Sequence, residues 1–310
     1  MGFSGDGEVA MEILRRFVKP LVPPLLTAQI RHYTESIRHY SEANQERLKR
    51  AQFENLRGIV SEKVAAIRSL TPEQCLDADY LENDFVPLLG LNDEALNDYP
   101  KELRSHYGSG LHLWQYPNQL AKFLVWMSGN VREIRCYMEI GCRWGGMFIL
   151  VSEWLRKHSV NMQTAIAVDI MSPTPLIDEY FKLLYDKKPN ANPDDERKIE
   201  PVYIPEFSTS EEVKRVVERL KPDFVFIDGD HSLRGALSDH MLVRDFARVI
   251  VHHDVHSDSC RDTTMLWNVL RQLEHHEFAC CQFVDQYKSV GKNINGFGVM
   301  YRRAFALGAN

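Results

Sequence analysis

The sequence has few cysteines, no long apolar run and no excess of positive charge. Its six cysteines in 310 residues include no C-x-x-C pair, which favours unpaired thiols in a reducing compartment. No apolar stretch approaches the roughly 20 residues that a membrane span requires. Because 37 Lys and Arg face 43 Asp and Glu, the net charge is −6, which disfavours a nucleic-acid or anionic-membrane partner. We therefore expect a cytoplasmic protein that acts without nucleic acid or membrane.

Two regions of different character meet near residue 110. Apolar residues recur at helical spacing through residues 8–70, and residues 71–110 are typical of short helices and loops. No group of titratable side chains suited to chemistry stands out in residues 1–110. We expect this region to be a helical cap or an oligomerisation element, through which the chain forms a homo-oligomer.

The second region, residues 111–310, alternates strands with helices of about ten residues or more. Its predicted strands are 137–140, 164–170, 199–204, 223–227, 247–251, 278–284 and 296–301. Such alternation favours parallel βαβ units with right-handed crossovers. The predicted fold class is α/β: a Rossmann-like, doubly wound, mostly parallel sheet with an antiparallel last strand, plus the N-terminal helical region. Ligands of such a sheet bind at the carboxyl ends of its strands.

A glycine-rich turn follows the first predicted strand, with the sequence E-I-G-C-R-W-G-G at residues 139–146. Glycines let a backbone turn tightly and approach a ligand, and the next helix offers free N–H groups. Gly141 and Gly145 are four residues apart, unlike the G-x-G-x-x-G spacing of dinucleotide sites. Asp169 ends the second strand, where an acid can accept hydrogen bonds from ribose hydroxyls. Tight packing alone also explains such glycines, but the combination favours an adenosyl ligand.

Polar side chains follow the fourth and fifth predicted strands, in D-G-D-H-S at residues 228–232 and H-H-D-V-H at residues 252–256. These strands are neighbours in the expected sheet, so their ends converge. Oxygen and nitrogen donors there suit a divalent ion such as Mg²⁺, and a histidine could take a proton from a hydroxyl. Helix capping is the structural alternative. The candidate residues are Asp228, His231, His253 and Asp254.

From about residue 116 to residue 303 the chain resembles the class I S-adenosylmethionine-dependent methyltransferases. The resemblance rests on the E-x-G-x-x-x-G-G turn and the acid at the second strand end. It implies that Glu139, Gly141 and Gly145 lie on the methionine and ribose side of the cofactor. It also implies that Asp169 holds the ribose hydroxyls.

The same resemblance suggests the adenine side of the cofactor. It implies a contact from the segment Glu206-Phe207-Ser208 after the third strand, for which we take Ser208. We also expect Asp228, after the fourth strand, to contact the cofactor. The family often has Pro-Gly-Gly before the fifth strand. This chain has Asp245-Phe-Ala-Arg248 instead, outside the expected cofactor site.

The D-G-x-H pattern followed by an acid on the next strand is similar to the metal-dependent sugar O-methyltransferases of macrolide biosynthesis. This similarity implies that Asp228, His253 and Asp254 bind a metal ion such as Mg²⁺. It also implies that His231 is the general base. His253 stands where those enzymes more often carry an acid.

Three functional hypotheses remain open at this point. The first is an O-methyltransferase acting on a hydroxyl of a sugar, polyol or phenolic natural product. The second is an enzyme of the same fold that catalyses a step other than methyl transfer, pericyclic or hydroxylating, because fold does not fix function. The third is a non-catalytic assembly protein that acts through its N-terminal helices.

Overall fold

The computed structural model describes residues 56–94, 100–185 and 198–306. The predicted helices before residue 56 lie outside the described residues. So does the segment at 186–197, whose polar sequence D-K-K-P-N-A-N-P-D-D-E-R predicts a surface loop. Residues Asn55–Asn310 form one compact unit. The division of roles between residues 1–110 and 111–310 stays a prediction.

The described chain contains a seven-stranded sheet with the strand order β3-β2-β1-β4-β5-β7-β6. Its strands are β1 Cys136–Ile140, β2 Thr164–Val168, β3 Glu200–Ile204, β4 Phe224–Ile227, β5 Val249–His253, β6 Phe278–Phe283 and β7 Phe297–Arg302. Strands β1 to β5 pair in parallel, and β7 runs antiparallel to both of its neighbours. The prediction of a Rossmann-like, mostly parallel sheet with an antiparallel last strand is confirmed.

The register of the central strands brings their carboxyl ends to one level. Ile140 of β1 pairs with Val168 of β2 and with Ile227 of β4, and Ile227 also pairs with His252 of β5. The residues that follow these strands therefore meet at one edge of the sheet. The predicted fifth strand, 247–251, was placed two residues too early, because β5 includes both histidines at its end.

Seven helices of ten or more residues occur in the described chain. They are α1 Leu56–Ser69, α2 Pro117–Asn130, α3 Gly146–His158, α4 Pro175–Tyr185, α5 Glu211–Leu220, α6 Leu233–Val243 and α7 Arg261–Leu273. Short helical turns at 74–89 and 101–106 connect α1 to the sheet domain. No helix in these described ranges has both the length and the apolar character needed to cross a bilayer.

The start of α5 differs in detail from the prediction. The sequence S-T-S-E at residues 208–211 predicts a capping box that begins at Ser208. In the structure Ser210 is the N-cap instead, and its side chain accepts a hydrogen bond from the backbone N–H of Val213. Serine at this position satisfies an otherwise free amide of the first turn. Ser208 is therefore left in the loop between β3 and α5.

The core lies on both faces of the sheet, and α1 is part of it. Helix α1 packs against α3 and α4. Arg68 near the end of α1 forms an ion pair with Glu153 of α3 at 2.7 Å. Tyr180 of α4 donates its hydroxyl to the same carboxylate at 2.9 Å. Because Glu153 is buried, these partners offset the cost of removing its charge from water.

Candidate active site

The glycine-rich turn after β1 is built by close backbone packing. Gly141 and Gly145 both have a φ of 87°, a left-handed conformation that favours glycine. A Cβ on Gly141 would lie 2.0 Å from the carbonyl oxygen of Asp228, and one on Gly145 would lie 2.3 Å from the Ile177 side chain. Gly141 thus brings the end of β1 against the end of β4, and Gly145 lets the turn pack against α4. Helix α3 begins immediately after, at Gly146.

Asp169, at the end of β2, holds this turn in place. Its Oδ2 accepts the backbone N–H of Arg143 at 2.7 Å, and its Oδ1 accepts that of Met171 at 2.9 Å. Burial raises the pKa of Asp169, and the hydrogen bonds from Met171 and Arg143 oppose that rise. Because each carboxylate oxygen has two lone pairs, Asp169 retains capacity to accept hydrogen bonds from a ligand hydroxyl.

Glu139 lies beneath the turn with 1% of its surface exposed. The hydroxyl of Tyr137 donates a short hydrogen bond to its Oε2. Burial raises the pKa of Glu139 well above its usual value, although the Tyr137 hydrogen bond opposes the rise, and the nearby charges of Asp228 and Asp169 add to it. No lysine or arginine pairs with Glu139 within the described part of the chain. A cationic ligand at this turn would therefore stabilise its carboxylate.

A compact polar cluster forms where β4 and β5 end. Oδ1 of Asp228 lies 3.1 Å from Nδ1 of His253 and 3.2 Å from Nε2 of His231. Oδ2 of Asp254 lies 3.4 Å from Nε2 of His231 and 3.7 Å from Nδ1 of His253. The donor atoms of Asp228, His253 and Asp254 lie within 4.8 Å of one another, close enough to share one metal ion.

The charges of this cluster stabilise each other. Burial works against ionisation of all four groups, but opposite charges outweigh it. The charge of His253 and the hydrogen bonds from both histidines lower the pKa of Asp228. The charges of Asp228 and Asp254 raise the pKa of His253 to about 10. Hydrogen bonds with Asp228 and Cys260, together with the charges of both acids, raise the pKa of His231 to about 11. The two carboxylates therefore favour the protonated form of both imidazoles.

The members of the cluster differ in their access to solvent. The His231 side chain is 44% exposed, whereas that of His253 is 2% exposed. Of these two histidines, only His231 can reach a molecule arriving from solvent. Asp254 has a φ of 57°, a left-handed conformation that asparagine and aspartate tolerate better than most residues. This backbone turn sets the Asp254 carboxylate beside both imidazoles.

His252 lies on the opposite face of the sheet from His253, because successive side chains of a strand point to opposite faces. Its Nε2 lies 3.1 Å from Nδ1 of His240 on α6. The other nitrogen of His240 lies 3.2 Å from Glu274. Burial, followed by the charge of His240, lowers the pKa of His252 well below its usual value. His252 therefore belongs to a buried contact between the sheet and its helices, not to the polar cluster.

The structure adds Asp239, which the sequence analysis did not single out. Asp239 lies on α6 with 1% of its surface exposed, and neither carboxylate oxygen has a well-aligned hydrogen-bond partner among the described residues. Burial raises its pKa to about 6, and the side chain of Ser208 opposes the rise. Ser208 thus lies beside a buried acid. A Cβ at Gly229 would lie 3.2 Å from Oδ2 of Asp239, so this acid sits below the turn that follows Asp228.

Residues before β1 also contact the glycine-rich turn. His112 stacks on Trp144 with 4.8 Å between ring centroids. Glu94 accepts a hydrogen bond from the Trp144 indole at 3.0 Å and forms an ion pair with Arg143. The Arg143 guanidinium lies 4.5 Å from the Trp114 ring centroid. The aromatic segment at 108–118 therefore covers one side of the turn. Sequence spacing gave no indication of the Glu94 contact, because 49 residues separate Glu94 from Arg143.

The fold and this edge of the sheet define a Rossmann-like α/β domain with a glycine-rich turn beside an acid–histidine cluster. No family model matches the chain, and no curated protein sequence matches it. Solved structures of similar fold include an O-methyltransferase from Bacillus cereus in complex with S-adenosylhomocysteine. That structure is 13% identical, with a TM-score of 0.38, and the match covers 59% of this chain and 80% of that one.

Two further solved structures have similar folds. One is the O-methyltransferase TomG from Streptomyces achromogenes, involved in tomaymycin synthesis, in complex with S-adenosylmethionine. It is 13% identical, with a TM-score of 0.42, and the match covers 75% of this chain and 99% of that one. The other is the MycE methyltransferase of the mycinamycin biosynthetic pathway, in complex with Mg, S-adenosylhomocysteine and mycinamycin VI: 16% identity, TM-score 0.36, 63% of this chain and 51% of that one. Likenesses at this level assign no ligand to the present chain.

Proposed function

We propose that this protein is an S-adenosylmethionine-dependent methyltransferase that acts on a hydroxyl of a small molecule, such as a sugar, a polyol or a phenolic natural product. The observation that carries the proposal is the contact between the glycine-rich turn and the polar cluster. Gly141 lies directly against the carbonyl of Asp228. A ligand held by the turn would therefore have its reactive end close to the acids and imidazoles that follow β4 and β5.

The cofactor would be held by Glu139, Gly141, Gly145 and Asp169, with Ser208 toward its adenine. Glu139 supports this fit, because it is a buried acid with no lysine or arginine partner in the described ranges. S-adenosylmethionine carries an ammonium and a sulfonium group, and it supplies an electrophilic methyl group when bound. Asp169 has free lone pairs at the neighbouring strand end for hydroxyl groups of a ribose.

The proton of the acceptor hydroxyl is removed by His231 in this proposal. His231 is the exposed histidine of the cluster, and an in-line displacement at a sulfonium requires mainly alignment of the nucleophile and removal of its proton. His231 must be neutral to accept that proton. The pKa of His231 is raised partly by the negative charges of Asp228 and Asp254. A metal ion bound to those acids would offset their charge, lower the pKa of His231 and so allow His231 to act as the base.

The metal ion would be Mg²⁺, held by Asp228, His253 and Asp254. Two carboxylates and an imidazole whose donor atoms lie within 4.8 Å of one another suit such an ion. When bound, Mg²⁺ would polarise a hydroxyl and lower the pKa of that hydroxyl. His253 would have to release its proton to bind the ion.

Two further parts of the proposal concern the whole chain. The apolar residues at helical spacing before residue 56 support self-association, since an exposed apolar stripe on a helix requires a partner. The unpaired thiols of all six cysteines support a cytoplasmic location.

The experiment that tests the proposed function measures S-adenosylhomocysteine. The full chain is incubated with S-adenosylmethionine, with and without Mg²⁺, against a panel of sugars, polyols and phenols. Mass spectrometry should find S-adenosylhomocysteine and one product heavier by a methyl group in equal amounts. Products formed without S-adenosylhomocysteine would favour a reaction other than methyl transfer. Failure to bind S-adenosylmethionine would overturn the proposal.

A further inference from the structure

A second set of metal-binding side chains overlaps the polar cluster. One ring nitrogen of His231, one carboxylate oxygen of Asp254 and the sulfur of Cys260 lie within 4.8 Å of one another. The Cys260 sulfur is 3.4 Å from Nδ1 of His231. Cys260 occupies the N-cap position of α7 and is partly exposed, so an ion arriving from solvent can reach it.

The donor types distinguish this set from the one at Asp228, His253 and Asp254. Nitrogen, oxygen and sulfur together suit Zn²⁺, whereas Mg²⁺ prefers oxygen ligands. Tetrahedral Zn²⁺ with bonds of about 2.0–2.3 Å places neighbouring donor atoms about 3.3–3.8 Å apart. The 3.4 Å between the Cys260 sulfur and Nδ1 of His231 falls within that range. Oδ2 of Asp254 lies 3.4 Å from the other ring nitrogen, Nε2, so the Asp254 carboxylate must turn toward Nδ1 for all three donors to bind one ion. Three protein ligands leave the fourth position for a water molecule.

We propose that His231, Asp254 and Cys260 form a binding site for Zn²⁺ and other thiophilic divalent ions, which shares Asp254 with the proposed Mg²⁺ site. Binding replaces the S–H bond of Cys260 with an S–Zn bond and the N–H bond at the ligating nitrogen of His231 with an N–Zn bond, and both protons go to solvent. Zn²⁺ held there engages His231 and removes it from proton transfer. This inhibitory effect rests on the proposed methyltransferase function, whereas the metal binding itself does not.

Cobalt provides a direct test, because Co²⁺ substitutes for Zn²⁺ and a cobalt–thiolate bond absorbs in the near ultraviolet. The full-length apoprotein is titrated with Co²⁺ and the absorption is recorded, and Zn²⁺ is then added in competition. We expect a saturable near-ultraviolet band that Zn²⁺ displaces and that excess Mg²⁺ leaves largely intact. Absence of the band in the wild-type protein at saturating Co²⁺ would overturn the proposal.

Four variants assign the band to a residue. Cys260→Ser should abolish it and weaken Zn²⁺ binding by at least about 10-fold, with Cys260→Ala as a second variant in case one folds poorly. Cys281→Ser removes another partly buried thiol and should leave both unchanged. Asp228→Asn should keep the cobalt–thiolate band but weaken Mg²⁺ binding. A full band in Cys260→Ser, or loss of the band in Asp228→Asn, would overturn the assignment of two ligand sets that share only Asp254.

The outcome is separable from that of the proposed function. Calorimetry with S-adenosylhomocysteine, on the same samples without metal, reports the cofactor site independently. If the protein binds the cofactor but gives no cobalt–thiolate band, the zinc site is overturned and the proposed function is not. If the protein gives the cobalt–thiolate band but does not bind the cofactor, the proposed function is overturned and the zinc site is not.

Discussion

Gly141 and Asp228 are in direct backbone contact, so closely that a Cβ on Gly141 would stand 2.0 Å from the carbonyl oxygen of Asp228. Gly141 directly follows β1, and Asp228 directly follows β4. Because the contact admits no side chain, the position of the glycine-rich turn and that of the acid–histidine cluster cannot vary independently. The proposed cofactor site and the proposed catalytic cluster are thus built from one packed edge of the sheet.

Replacement of His231 by alanine should lower turnover by about 10²–10⁴-fold, since that is the usual contribution of a positioned base. Affinity for S-adenosylhomocysteine should remain within about two-fold, because His231 lies on the acceptor side of the proposed site. Steady-state kinetics and calorimetry measure the two effects. His276→Ala, at an exposed position, is the matched control. Normal turnover by the His231 variant would place the base elsewhere, and His253 would be the next candidate.

Asp228→Asn should lose activity that added Mg²⁺ does not restore. The amide has nearly the same size as the carboxylate but no charge to balance a divalent ion or the two imidazoles. Turnover is measured over a Mg²⁺ titration, with EDTA-treated wild-type protein as the reference. Full wild-type activity in EDTA would contradict the metal assignment, and these side chains would then act through hydrogen bonds alone.

Asp239→Asn should raise the free energy of unfolding at pH 8 but not near pH 4. The folded-state pKa of Asp239, about 6, lies above the usual value of 3.8. The folded protein therefore binds more protons than the unfolded chain between these pH values, and the aspartate costs stability as pH rises through that window. We expect a gain of roughly 1–3 kcal/mol at pH 8.

Urea unfolding at both pH values measures the effect. Asp245→Asn, at an exposed position near the end of α6, controls for the loss of one negative charge. An equal change in the Asp239 and Asp245 variants at pH 8 would show that burial of Asp239 is not the cause.

A chain that begins at Asn55 should remain folded and should lose self-association. Residues Asn55–Asn310 form one compact unit, and the helically spaced apolar residues that support an oligomer precede it. Light scattering should give the monomer mass for the shortened chain and a higher mass for the full chain. Leu14 and Phe17 are two of the apolar residues at helical spacing in residues 8–70. Leu14→Asp with Phe17→Asp in the full chain tests their role in self-association without truncation. An unchanged oligomer in both proteins would locate the subunit contact elsewhere.

The sequence was sufficient to predict the sheet, because buried parallel strands are short apolar runs bounded by glycines and acids. The sequence did not predict the burial of polar residues whose partners lie far away in the chain. The end of β5 was missed because His252 and His253 have the composition of a loop, yet His240 and Asp228 accommodate them inside the structure.

The contacts that remained hidden are those between segments far apart in sequence. Asp239 resembles any polar residue of a helix, and only packing of α6 beneath the β4 turn shows that it is buried. Cys260 likewise becomes a candidate metal ligand only because it lies beside His231, which is 29 residues earlier in the chain. Spacing rules describe neighbours on one element, so they do not predict such pairs.

Titration calorimetry with S-adenosylhomocysteine and NAD⁺ tests the central claim most directly. The full chain should bind S-adenosylhomocysteine at one saturable site and should not bind NAD⁺. Asp169→Ala should weaken that binding by about 1–3 kcal/mol, the cost of leaving polar partners unpaired, while Asp178→Ala on the exposed side of α4 should not. Binding of NAD⁺ without any binding of S-adenosylhomocysteine would contradict the account.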